Sequence, residues 1–298
     1  MNFPYLKRAA LVLAAVIGIA ACDTTTPPVH TSIPKPAPKP HATIGLALGG
    51  GASKGFAHIG VIKVLEQHNI PVKVVTGTSA GSIVGSLYAS GMSPDRLELE
   101  AEILEKSSLV DLTLSTSGFI KGQKLQDFIN RKVNNKTIQS FPRKFAAVAT
   151  RFGTGDAIAF NHGNVGQAVR ASVSIPNIFQ PAVIGGQKYV DGGLSAPVPV
   201  TAARNQGANF VIAVDISARP SKLTESGFFS YLDQSLNIMS QTALRQELKK
   251  ANVVITPQVQ HLGAVGGFDQ KNQAIKLGEQ AALKALPEIK RKLAAYRY

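Results

Sequence analysis

Val72-Lys73-Val74-Val75-Thr76-Gly77-Thr78-Ser79-Ala80-Gly81 joins an apolar, β-branched run to a turn of small residues, and a helix-like run from Ser82 to Ser90 follows. Strand, tight turn and helix form the setting in which Gly-x-Ser-x-Gly has chemical meaning. The strand, read over 72–76, delivers Ser79 to the turn. Glycines at 77 and 81 let the backbone bend without steric conflict. The helix then directs its N-terminal amides back toward the serine, where negative charge would grow during acyl transfer. Ordinary glycine-rich turns also carry such five-residue patterns, so the flanking elements and two further motifs bear the weight of the reading.

Strand and helix signals alternate on both sides of this segment, which argues for an α/β layer architecture. Thr43 to Leu48 reads as a short apolar strand, and Gly49-Gly50-Gly51 as the loop after it. His58 to His68 has apolar residues at 59, 61, 62, 64 and 65, a helical face. Gly91 is placed to close the helix after Ser79. Ser93 and Pro94 fit the N-cap and first position of another helix. Lys124 to Val133 reads as helix, Phe145–Thr150, Gln187–Val190 and Phe210–Ile216 as strands, and Asn272 to Arg291 as a last helix with basic residues in its final turns.

The ends carry a different message. Lys7 and Arg8 precede a 13-residue apolar run, Ala9 to Ala21. That is short of the roughly 20 residues needed to span a bilayer, but it suits a secretory signal, here residues 1–21. The run closes Ile19-Ala20-Ala21-Cys22, similar to the lipobox of proteins cleaved just before a cysteine that then carries lipid. Cys22 is the chain's single cysteine, so no disulfide can form within it. Residues 22–42 follow as lipidated cysteine and tether, with six prolines between Pro27 and Pro40 favouring an extended, semi-rigid spacer. Residues 43–298 show no second linker and no repeat, and are read as one domain. The net charge is +14, and +12 without Lys7 and Arg8. Beside an export signal, and without basic–aromatic interleaving, this favours a membrane surface over nucleic acid as partner; a generally solvated basic surface is the alternative. The expected location is the bacterial cell envelope, anchored to a membrane and facing the periplasm.

A serine hydroxyl needs a base to take its proton. Among the six histidines, His30 and His41 fall in the tether, His58 and His68 bracket the first helix, His162 sits in a polar turn and His261 is late. A triad of Ser79, Asp191 or Asp215, and His261 would keep the α/β-hydrolase order. The other candidate base is Asp191 itself, delivered by Gln187–Val190 to Asp191-Gly192-Gly193, if confinement raises its pKa. Gly49-Gly50-Gly51-Ala52-Ser53-Lys54-Gly55 can present consecutive N–H groups to an anion. It lacks the Gly-Lys-Ser/Thr ending of a P-loop and the acid of a dinucleotide fold, so an oxyanion hole beside Ser79 fits it better. His58 reads as a structural or surface residue rather than a proton carrier, Asp215 as a turn or cap, and Phe119, Ile120 and Leu125 as core or acyl-channel residues. One cysteine and scattered histidines offer no metal-ligand spacing, and no cofactor is expected.

Gly-Gly-Gly-x-x-Lys-Gly, Gly-Thr-Ser-Ala-Gly and Asp-Gly-Gly, in this order, resemble the bacterial branch of the patatin-like phospholipase family, as does Ala171-Ser172-Val173-Ser174-Ile175-Pro176 with Phe179 and Pro181. The resemblance runs from about residue 43 to the late helix. It implies a three-layer α/β/α fold with a central, mostly parallel sheet, and a Ser79–Asp191 dyad hydrolysing phospholipid or lysophospholipid esters. It further implies an oxyanion hole from Gly50, Gly51 and Ala52. Lys54 stands where the family more often has arginine, and could steady the loop or meet a lipid phosphate. Arg151 stands where relatives often carry an acid. A membrane-tethered regulatory or binding protein with a silent hydrolase site is the alternative.

Overall fold

The computed structural model describes residues 39–105, 107, 109–113, 118–217, 228–262 and 267–297. The expected signal segment, Cys22 and the tether up to Pro38 lie outside them. Eight strands make one sheet: β1 (Ile44–Leu48), β2 (Val72–Thr78), β3 (Lys144–Arg151), β4 (Ala157–Phe160), β5 (Ala182–Ile184), β6 (Gln187–Asp191), β7 (Phe210–Val214) and β8 (Val253–Ile255). The described helices are α1 (Ala57–Gln67), α2 (Ala80–Ala89), α3 (Pro94–Ile103), α4 (Gln123–Lys132), α5 (Val165–Ser172), α6 (Val200–Asn205), α7 (Phe228–Leu248) and α8 (Lys271–Leu293). Strands β3-β2-β1-β7-β8 run parallel in that order, while β4, β5 and β6 add antiparallel pairings.

The expected mostly parallel sheet between helical layers is what the chain forms. On β1, Ile44, Leu46 and Leu48 join one large core with α1, α2 and α8, whereas Ala47 joins a smaller one with residues of α6 and Leu244 of α7. The thin side requires small residues. A Cβ on Gly45 would lie 2.6 Å from that of Ala208. The capping signals also fold as read: Ser93 accepts from the Arg96 N–H at 3.3 Å, and Gly91 takes φ +105° after α2. Residues 39–42, expected in the tether, are instead tied to the C-terminus of the domain, with Ala42 N–H donating to Arg297 O (2.6 Å) and Arg297 N–H to Pro40 O (2.9 Å).

Two features of the sheet place the site. First, β1 is the switch point from which the order runs to β2 on one side and β7 on the other, so their carboxyl-end loops bound a crevice. Second, β2 and β6 share one edge of β3. Residues 147 and 148 pair with β2 and β4, and residues 149 and 150 with β4 and β6, so β6 lies on the β2 side. There the two strands meet end to end, Thr78 opposite Val148 and Asp191 opposite Ala149. Adjacent positions along a strand are about 3.3 Å apart, and this register alone carries Asp191 to the Ser79 turn.

Candidate active site

Ser79 stands where β2 becomes α2, at φ 51° and ψ −122°. Non-glycine residues rarely adopt such a conformation, and it costs about 1–3 kcal/mol. The turn closes only because its flanks are glycine. A Cβ on Gly77 would fall 2.3 Å from Gly81 O, and one on Gly81 would fall 2.2 Å from Leu48 O. Hydrogen bonds hold the strained residue from both sides. Its N–H donates to Ser172 Oγ (2.9 Å), which donates onward to Val148 O (2.6 Å). Its carbonyl accepts from the Ser82 N–H (2.8 Å) and hydroxyl (2.7 Å).

The segment that steadies Ser79 also steadies Asp191, whose N–H donates to Ser174 O at 2.8 Å. The Asp191 carbonyl accepts from Thr150 Oγ1 (2.9 Å), and carboxylate Oδ1 accepts from the Gly193 N–H (2.7 Å). Oδ2 is buried with no partner at good hydrogen-bond geometry among the described residues, although the Ser79 side chain lies close enough to favour the charged form. Burial dominates and pushes the carboxyl up to about 6; the Ser79 hydroxyl and the Gly193 N–H lower it by less. Arg151, the departure from the family pattern, pairs with Tyr189 in the sheet and approaches Asp156 at 3.7 Å.

The glycine loop leaves β1 and lines the same cleft. Its amides are not equivalent. Gly49 N–H donates to Val214 O (3.0 Å) and Gly50 N–H to Pro197 O (2.9 Å). Gly50 was expected as an oxyanion donor, but here its hydrogen is occupied, because the stretch after Asp191 passes beneath the loop. Gly51 and Ala52 N–H have no partner among the described residues. Ala52 sits at φ 52°, a conformation an alanine holds only under constraint. Lys54 is buried in the cleft wall.

Two chambers meet at Ser79, Ala52 and Ile175. One, of about 110 Å³, is lined by Gly50, Gly51, Lys54, Asp191, Asn237 and Ser240. The other, of about 250 Å³, is walled by apolar side chains that include Phe56, Ile83, Leu104, Ile120, Leu125 and Phe179. Ile120 and Leu125 therefore line a channel, whereas Phe119 is half exposed outside it. No histidine is among the described residues lining the polar chamber. His261 is exposed beside Gln273, so the Ser79–acid–His261 triad is not assembled. Asp215 is buried and accepts from the Ser217 N–H at 3.0 Å, the turn role expected of it. Sequence reading missed Ser172 and Ser174 as supports, although their segment carried the resemblance. It also missed α7, which brings Asn237 and Ser240 to the cleft; nothing in that run marks it in advance.

The family model of the patatin-like phospholipases matches residues 46–204. An uncharacterized NTE family protein of Mycobacterium tuberculosis is 32% identical over 281 residues, covering 84% of this chain and 48% of that one. Lysophospholipase NTE1 of Debaryomyces hansenii is 31% identical over 182 residues, covering 59% of this chain and 12% of that one. The chain thus spans about half the length of its mycobacterial relative and far less of the Debaryomyces protein. The crystal structure of VipD from Legionella pneumophila has the same fold, with a TM-score of 0.57 at 14% identity over 83% of this chain and 67% of VipD. The family match takes in more than half of the chain, from β1 to α6, and on that ground the protein belongs to the patatin-like phospholipase family.

Proposed function

We propose that the protein is a serine acyl hydrolase cleaving carboxylic esters of phospholipids or lysophospholipids through a Ser79–Asp191 dyad. The observation that carries this reading is a strained serine beside a buried carboxylate of raised pKa, with an apolar chamber opening at the same residue. A carboxyl with a pKa of about 6 is still ionised at neutral pH, yet it is a stronger base than an ordinary aspartate. In this mechanism Ser79 Oγ attacks the ester carbonyl as its proton passes to Asp191, and the oxyanion is met by the Gly51 and Ala52 N–H groups. Collapse expels the alcohol, which takes the proton from Asp191, and leaves an acyl-serine. Water then attacks the acyl carbon, giving a proton to Asp191, and the second collapse returns that proton to Ser79 as the fatty acid leaves. The acyl chain would occupy the 250 Å³ chamber, and Lys54 would face a lipid phosphate or steady the loop as a point charge.

The lysophospholipase name of one relative, together with the family, supports a lipid ester as substrate class. We further propose lipid attachment at Cys22 after removal of 1–21, which would hold the domain at a membrane on the periplasmic side. The chain reaches β1 at the end of the strand opposite the cleft, so the proline-rich stretch would set how the cleft addresses that membrane. The test is labelling by a fluorophosphonate probe combined with mass spectrometry of lipid extracts incubated with purified protein. Wild type should label at Ser79 and release fatty acid, and Ser79→Ala should do neither. An unlabelled wild type that leaves the lipids intact would favour a silent, regulatory site.

A further inference from the structure

We propose that His58 is a positioning residue for the oxyanion hole, holding the Gly49–Gly50 peptide so that the next two amides, Gly51 and Ala52, present their hydrogens to the Ser79 cleft. The proposal rests on the hydrolase reading and extends it to a group outside the cleft lining. A peptide between two glycines has no Cβ on either side to bias its rotation. Here both of its polar ends are tied. The Gly49 carbonyl accepts from His58 Nε2 at 2.8 Å, and the Gly50 N–H donates to Pro197 O at 2.9 Å. With Gly49 N–H bonded to Val214 O, three separate parts of the chain grip the loop just before its unpaired amides.

The imidazole is suited to this role and not to proton transfer. It is fully buried in the first turn of α1, a helix whose Ala57, Ile59, Val61 and Ile62 are buried as well. Burial pushes its pKa down to about 4, against smaller raising effects from the Gly49 carbonyl and the Asp215 carboxylate. It is therefore neutral near pH 7, and the Gly49 carbonyl assigns the hydrogen to Nε2. Nδ1 is then a bare acceptor, buried and without a partner among the described residues. An unsatisfied buried polar atom costs about 1–3 kcal/mol, and leucine at this point of an apolar helix would avoid that cost. What leucine could not supply is the donor to Gly49 O.

The experiment compares wild type with His58→Leu, which removes the donor, and His58→Gln, whose amide can replace it. His58→Asn, with an amide one carbon shorter, serves if the leucine variant does not fold. The readouts are kcat and KM on a short soluble ester, the inhibition constant of a trifluoromethyl ketone, which forms a tetrahedral oxyanion on Ser79, and thermal unfolding. Losing one oxyanion donor costs about 10²–10³-fold, so loosening the pair through their support should lower kcat about 10- to 100-fold in His58→Leu at unchanged KM. Ketone affinity should fall by the same factor, and His58→Gln should recover most of both. Wild-type kcat and ketone affinity in the leucine or asparagine variant would overturn the role. So would equal losses in all variants that track a lowered Tm. A wild type that neither turns over ester nor takes a fluorophosphonate overturns the hydrolase reading and this role with it.

Discussion

The two chambers that share Ser79 are made from different parts of the chain. The polar one is largely backbone and strand-end loop: the amides after β1, the Asp191-Gly192-Gly193 turn after β6, and Pro197 beneath them. The apolar one is side chain, contributed by residues just before α1, by α2, by Leu104, Leu109, Val110 and Ile120 between α3 and α4, by Leu125 of α4, and by the segment after α5. In the proposed mechanism the reacting atoms are therefore held by hydrogen bonds and glycine contacts with little freedom to vary, while the shape that would be offered to an acyl chain rests on aliphatic residues that can be exchanged. Chemistry and chain preference should separate under mutation.

The largest effect tests the shared corner. Ser79→Ala should lower kcat/KM by about 10³-fold or more for short and long acyl esters alike, since the proposed nucleophile borders both chambers. A loss confined to long chains would mean that Ser79 is only a wall residue. Next, Gly51→Ala would place a Cβ 2.8–2.9 Å from Ile216 and force the loop to move. Steady-state kinetics should record a drop of about 10²-fold, independent of chain length. On the apolar side, Ile83→Trp should fill the channel wall and cut kcat/KM for long-chain esters by about tenfold. Acetyl and butyryl esters should be cleaved at nearly the wild-type rate. A uniform loss would show that the chambers are not independent.

Two smaller effects follow from the buried carboxylate. In the proposed mechanism Asp191 acts as base and must be ionised, so kcat/KM should fall about tenfold per pH unit below about 6 and level off above it, the exact breakpoint read from a pH profile. The same shift opposes folding. Between about 3.8 and 6 the unfolded chain loses this proton and the folded one keeps it, so stability declines with rising pH and stays lower above 6. Asp191→Asn should therefore be inactive yet more stable than wild type by about 2–3 kcal/mol at pH 8. Urea unfolding should show that gain shrinking as the pH approaches 4.

Ser79 and its glycines were legible from residues alone because a tight turn is a local matter. Gly77 and Gly81 are demanded by contacts within a few residues or by the neighbouring strand, and small residues at a strand–helix junction announce such contacts. The strand before Asp191 was legible for a similar reason, a short alternating run ending at two glycines. The equivalence of Gly50, Gly51 and Ala52 was not a safe reading. Which amides stay unpaired depends on Pro197 and Val214, about 150 residues further along the chain. Likewise, Ser172 is one small polar residue among many until its hydroxyl is seen between the Ser79 N–H and Val148 O.

By itself the sequence determined the α/β class, the turn that exposes Ser79, the glycine loop and a carboxylate at a strand end, because each is written in hydrophobic period and glycine placement over about ten residues. Only the tertiary structure decided that Asp191 reaches the turn that carries Ser79 and that no histidine is among the described residues lining their chamber. That outcome depends on β6 sharing an edge of β3 with β2, and strand pairing across 112 positions is settled by packing of the whole sheet, which no local run of residues encodes.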